Sequence, residues 1–154
     1  QARKYRELGL EYQRMGNLAE ALSFYQKAIA MYPDFAVVYN DIGVVYEAMG
    51  SLEQAEENYL KSVRVDPNYP GAYTNLALYY EGQRNLKKAV FYWGKRVEVG
   101  ISDDPQTQKA VNRLVDIRSS LSDQASLYES AEEVLVLMND VDEDKAELDQ
   151  EKNL

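Results

Sequence analysis

Neither cysteine nor histidine occurs in the 154 residues of this chain. The first absence excludes disulfides, thiol nucleophiles and thiolate metal sites, and the second excludes imidazole acid–base chemistry. No phosphate-cradling glycine loop and no serine-based constellation is present. The chain is therefore not expected to be an enzyme, and no catalytic residue, metal ligand or cofactor is assigned. No apolar run approaches the roughly 20 residues that span a bilayer, and no basic-then-apolar leader opens the chain. Direct membrane insertion is not expected. The first residues, Gln1-Ala2-Arg3-Lys4, lack an initiator methionine, so a piece of a longer protein is expected. A cytoplasmic and a periplasmic address stay open.

What is present is enough for a core. Hydrophobic residues make up 45% of the chain, which argues against global disorder, and the length suits one domain. The net charge is −9. From Ser122 to Leu154 eleven acids face only Lys145 and Lys152, so this end carries the whole excess and the body is neutral. Neither part offers the basic stripe that nucleic acid requires.

The body repeats with a step of 34 residues, as Gly9 and Gly43 illustrate. Tyr5, Tyr39 and Tyr73 keep that step, as do Leu8, Ile42 and Leu76, and Tyr12, Tyr46 and Tyr80. Ala21, Ala55 and Ala89 follow, then Tyr25, Tyr59 and Trp93, while Pro33 and Pro67 close the first two units. Within the second unit, Tyr39, Ile42, Tyr46 and Met49 fall on one helical face. Gly50-Ser51 ends that helix, and Ser51 is predicted to cap the next one in a capping box with Gln54. Gly16-Asn17 makes the matching break in the first unit and Arg84-Asn85 in the third, with Asn85 as cap. The second helix of unit two presents Leu52, Ala55, Tyr59 and Val63, and Asp66-Pro67 ends it because proline disfavours helix at the preceding residue.

The order Tyr5, Leu8-Gly9, Tyr12, Ala21, Tyr25, Pro33 resembles the tetratricopeptide repeat, whose period is also 34. The resemblance implies an all-α solenoid of three antiparallel helix pairs, at residues 2–35, 36–69 and 70–103. It also gives Gly43 a reason. A glycine inside a helix costs about 1 kcal/mol relative to alanine, and close approach of the two helices of a unit is expected to compensate. Ala77 takes that place in the third unit.

Unit three departs from the pattern, with Ile101 at the proline place and Gly94 expected to interrupt its second helix. Asp104-Pro105 is a strong helix start. A capping helix is expected over 104–121, with Ala110, Leu114, Ile117 and Leu121 on one face and Val111 and Val115 widening it. Ser122-Asp123 is expected to restart a helix over 122–140, with the stripe Leu127, Ala131, Val134, Met138 and Val141. It either docks on the capping helix or serves as a detachable arm that mediates self-association. An acidic tail, frayed or disordered, is expected over 141–154.

The resemblance further implies a concave groove lined by the first helix of each unit, which binds a peptide or amphipathic helix of another protein. Residue by residue, its lining is Arg3, Arg6, Leu10, Gln13 and Arg14 from unit one. Unit two gives Val37, Asn40, Asp41, Val44 and Glu47, and unit three gives Thr74, Asn75, Leu78 and Glu81. Leu10, Val44 and Leu78 would form an apolar track between a basic end (Arg3, Arg6, Arg14) and an acidic side (Glu47, Glu81). Some relatives clamp the C-terminal carboxylate of chaperones, and their clamp places hold Arg6, Leu10, Asp41, Gly71 and Asn75 here. Only Arg6 keeps that chemistry, while Asp41 would repel a carboxylate and Leu10 cannot donate to one. The expected function is thus an interaction scaffold, not of the carboxylate-clamp type. The alternatives are a self-assembling structural protein and the substrate-recognition arm of a larger enzyme. Tyr32, Tyr69 and Tyr79 are expected near the surface.

Overall fold

A computed structural model describes residues 1–127. It contains α1 (Ala2–Arg14), α2 (Leu18–Met31), α3 (Ala36–Ala48), α4 (Leu52–Val65), α5 (Pro70–Gly82), α6 (Leu86–Glu98) and α7 (Pro105–Leu127), with no strand among the described residues. The chain forms two compact units, one ending at Asn75 and the other beginning at Leu76, so the boundary falls inside α5. In the first unit α1 packs on α2, α3 on α4, and α2 on α3. In the second, α6 packs on α7. No described helix is long and apolar enough to cross a membrane.

The first core is Ala21, Tyr25, Ala28, Val38, Ile42 and Val45, with Tyr5, Leu10, Tyr12 and Leu18 packed at its edge. Helix α3 has neighbours on both sides and buries eight of its thirteen residues, whereas α1 buries Gly9 alone. Ala55, Tyr59 and Val63 of α4 are buried as their stripe predicts, but Leu52 and Met49, each at a helix end, are exposed. Tyr32 is exposed and Tyr69 half-buried. Tyr79 is buried, contrary to expectation, with its ring edge-on to Tyr80 at 5.2 Å.

The turns inside the repeats share one geometry. Gly16, Gly50 and Arg84 have φ of 79°, 76° and 57°. After each, the next residue's amide reaches back to the helix, at Asn17 to Tyr12, Ser51 to Tyr46 and Asn85 to Tyr80, each at 2.9 Å. This is the Schellman closure, which demands a left-handed residue. Glycine occupies that conformation freely, and a residue with a Cβ does not. Arg84→Gly should therefore stabilise the chain by about 0.5–1 kcal/mol, read as a higher midpoint in thermal or urea unfolding; a lower midpoint would contradict this account.

The caps follow the prediction in part. Asn85 accepts from the Lys88 amide at 3.1 Å. Ser51 makes no side-chain cap, and the capping box with Gln54 does not form. Ser51, Asn17 and Asn85 share one backbone geometry, with ψ of 73°, 73° and 77°, and of these three Asn85 is the one whose side chain caps. Tyr32 and Asp66, each before a proline, are extended and end α2 and α4 as expected.

Two expected breaks are absent. Helix α6 runs through Gly94, and α7 runs through Ser122 to Leu127. A glycine costs a helix about 1 kcal/mol and a serine less. Burial of Ala89, Val90, Phe91, Tyr92, Trp93 and Arg96 outweighs that cost in α6. Helix α7 buries Ala110 and Ile117 and half-buries Leu114 and Leu121, leaving Val115 exposed. The rest of the expected amphipathic helix, and the acidic tail, lie outside the described residues.

Candidate partner-binding face

The face is built on a device that recurs once per repeat. A Cβ added to Gly43 would lie 2.5 Å from Cε1 and 2.6 Å from Cδ1 of Tyr59, so the ring crosses directly over the glycine. Gly9 stands in the same relation to Tyr25. The ring's polar tip then reaches the residue one helical turn beyond the glycine. Tyr25 donates to Gln13 at 2.6 Å and Tyr59 to Glu47 at 2.7 Å, while in the third repeat Trp93 donates through Nε1 to Glu81 at 2.5 Å. A buried aromatic with a polar handle requires such a partner. Burial pushes the Tyr25 and Tyr59 hydroxyls far above the usual tyrosine range, so both stay donors. The 34-residue step aligns all six residues, but register alone does not reveal the pairing across twelve residues. Its signal lies in the shared chemistry of the aligned aromatic and carboxyl or carboxamide positions.

A second set of bonds joins successive first helices. Arg6 donates through Nε to Asp41 at 2.6 Å, and Asn75 donates to Asn40 at 2.8 Å, each pair 35 residues apart. Burial pushes the Asp41 carboxyl upward, and Arg6 pulls it partly back. The expected basic end is thus reduced. Arg3 and Arg14 are exposed, but Arg6 is spent on Asp41, and Asp41 is a buried partner and no free acid. Leu10, Gln13, Val37 and Val44 are half-buried, and Glu47 is exposed. Thr74 bonds back to the carbonyl of Pro70 at 3.2 Å.

In the second unit Leu78 is exposed, while Glu81 is held from two sides. Trp93 binds it from behind, and Arg113 of α7 grips both carboxylate oxygens, through Nε at 3.0 Å to each and through Nη2. Burial pushes the Glu81 carboxyl up, but Arg113 and then Trp93 outweigh it, and the carboxyl is held below the usual glutamate range. A carboxyl lowered in the folded state stabilises above its unfolded value and loses that contribution as pH falls through the folded value. Acidification below about pH 4.5 should therefore loosen the grip of α7. Trp93, the sole tryptophan, reports this directly by its emission. Glu81→Gln should remove that acid transition, and an unchanged transition in the variant would assign it elsewhere.

Among the described residues no group of acidic side chains could hold a metal. Comparison with known proteins agrees with the architecture. A family model described as tetratricopeptide repeat matches residues 2–35, and a second of the same description matches 24–57 and 58–91. No curated protein matches in sequence. Among solved structures, the first TPR of Spaghetti (RPAP3), bound to the HSP90 peptide SRMEEVD, superposes with a TM-score of 0.67 at 22% identity, over 79% of this chain and 93% of that one. The Sgt2 TPR domain from Aspergillus fumigatus gives 0.69 at 20% identity, over 84% of each chain. MamA gives 0.60 at 33% identity, over 64% of this chain and 57% of that one. Repeat register, helix order and family match coincide: the chain belongs to the tetratricopeptide repeat family, all-α solenoids that are protein–protein interaction modules.

Proposed function

We propose that the face carrying Leu10 and Val44 binds a peptide or amphipathic helix of a partner protein, and that it is not a carboxylate clamp. The observation that carries this reading is the Arg6–Asp41 pair. Arg6 is the sole cation at the clamp places, and its Nε lies 2.6 Å from a buried carboxylate. A ligand carboxylate arriving there would meet a guanidinium whose charge Asp41 already offsets, and pulling Arg6 away would leave Asp41 buried without a counter-charge, which is strongly unfavourable. Leu10 and Val44 remain half-exposed at equivalent places of the two repeats and offer apolar contact.

Titration of the isotope-labelled protein with two peptides tests this. SRMEEVD, the ligand of the Spaghetti repeat, should leave Arg6 Nε and the Leu10 and Val44 methyl signals unmoved. A designed amphipathic helix with a leucine stripe should shift both methyls saturably. Leu10→Glu with Val44→Glu should abolish that shift while the melting curve stays cooperative. Saturable binding of SRMEEVD at Arg6 would sink the non-clamp reading, and indifference to the leucine-stripe helix would sink the groove reading.

A further inference from the structure

We propose that Glu47 is a docking point for an arginine carried on an amphipathic helix of a partner protein. This rests on the groove reading above and adds to it the charge of the partner. The chain contains its own template for the contact. Glu81 occupies the place 34 residues after Glu47, and both accept a hydrogen bond from the second-helix aromatic of their repeat. That bond leaves the remaining lone pairs of each carboxylate directed away from the aromatic. At Glu81 they are taken by Arg113, which lies on a helix whose apolar residues Ala110 and Ile117 are buried. At Glu47 they are exposed, and among the described residues Tyr59 is the partner the carboxylate has. The residue 34 before Arg113 is Tyr79, which carries no charge, so the sequence encodes no such arginine one repeat earlier.

Glu47 is thus a carboxylate held in place from behind, which lowers the ordering cost of a charge-assisted, two-point contact with a guanidinium. Arginine fits better than lysine because its planar fork matches both carboxylate oxygens, as Arg113 does at Glu81. In the first repeat Gln13 takes the same place without a charge, so within the unit that ends at Asn75 this preference belongs to Glu47 alone.

A synthetic peptide of residues 105–121, which carries Arg113 with its apolar neighbours, serves as the probe against the full chain. It should shift the Leu10 and Val44 methyls and the Glu47 amide. Binding should weaken about tenfold or more for the peptide with Arg113→Gln, and equally for the protein with Glu47→Gln. Glu47→Gln keeps an acceptor for Tyr59, and its melting curve checks that the fold is intact. Equal affinity of Glu47→Gln and wild type, or of the two peptides, would overturn the proposal and leave the groove reading standing. No shift with either peptide would also overturn it, and the leucine-stripe helix then decides the groove reading by itself.

Discussion

Gly43→Leu should destabilise the chain by about 1–3 kcal/mol or more through overpacking, even though leucine is the better helix former by nearly 1 kcal/mol. The two effects have opposite signs, so a net loss isolates the packing term. The leucine Cβ would arrive 2.5 Å from Tyr59 Cε1 and 3.2 Å from the Ala55 carbonyl oxygen, before the rest of the side chain is placed. Neither neighbour can yield cheaply. Ala55 offers backbone. Tyr59 is only 1% exposed and is tethered at its far end to Glu47. A total stability of about 5–15 kcal/mol makes such a loss visible in any melt. Gly43→Ala asks the same question more gently, and pairing it with Tyr59→Leu should recover part of its cost, a coupling of about 0.5–3 kcal/mol for residues in contact. An unchanged midpoint for Gly43→Leu would refute the close-approach account.

That account was legible in the sequence, and its limits are instructive. The 34-residue step located the turns, the core stripes and the glycine contact, because each is repeated and each has one dominant physical cause. The Tyr59–Glu47 bond was not found, since register shows which residues align but not which side chains reach across a helix pair. The same holds for Arg6 and Asp41. Read separately as lining residues, they gave a basic end and a repelling acid, while the fold cancels one with the other. The missing breaks at Gly94 and Ser122 have a different origin. Local propensity is worth about 1 kcal/mol at most there, and tertiary burial of the surrounding helix decides the outcome.

The departures of the third repeat become intelligible through Arg96, and they yield the second large effect. Its places one and two repeats earlier hold Ser62 and Ala28, both wholly buried. Small residues there leave no room for a long side chain, yet Arg96 is itself buried at 6% exposure. It is accommodated because the helix that follows differs. Nη1 donates to the Thr107 hydroxyl at 3.1 Å and Nη2 to Asp104 at 3.4 Å, while the Thr107 amide and hydroxyl donate to the same Asp104 oxygen at 2.9 and 3.1 Å. The Thr107 amide, with Thr107 and Arg96 side chains added, holds the Asp104 carboxyl below its usual range. Gly100 completes the seat, since a Cβ there would stand 2.6 Å from Arg96 Nη1. The N-cap that starts α7 is therefore also the anchor that fastens α7 to α6. Arg96→Ala removes a buried stem and its donors and should cost about 2–4 kcal/mol. The loss should be local. Hydrogen exchange should speed up in α7 while α1 to α4 keep their protection, and Trp93 emission should shift as Arg113 leaves Glu81. Arg96→Lys should rescue little, because a single ammonium cannot span both Thr107 and Asp104. A uniform loss of protection along the chain, or full rescue by lysine, would mean that Arg96 contributes only to a general core and anchors nothing.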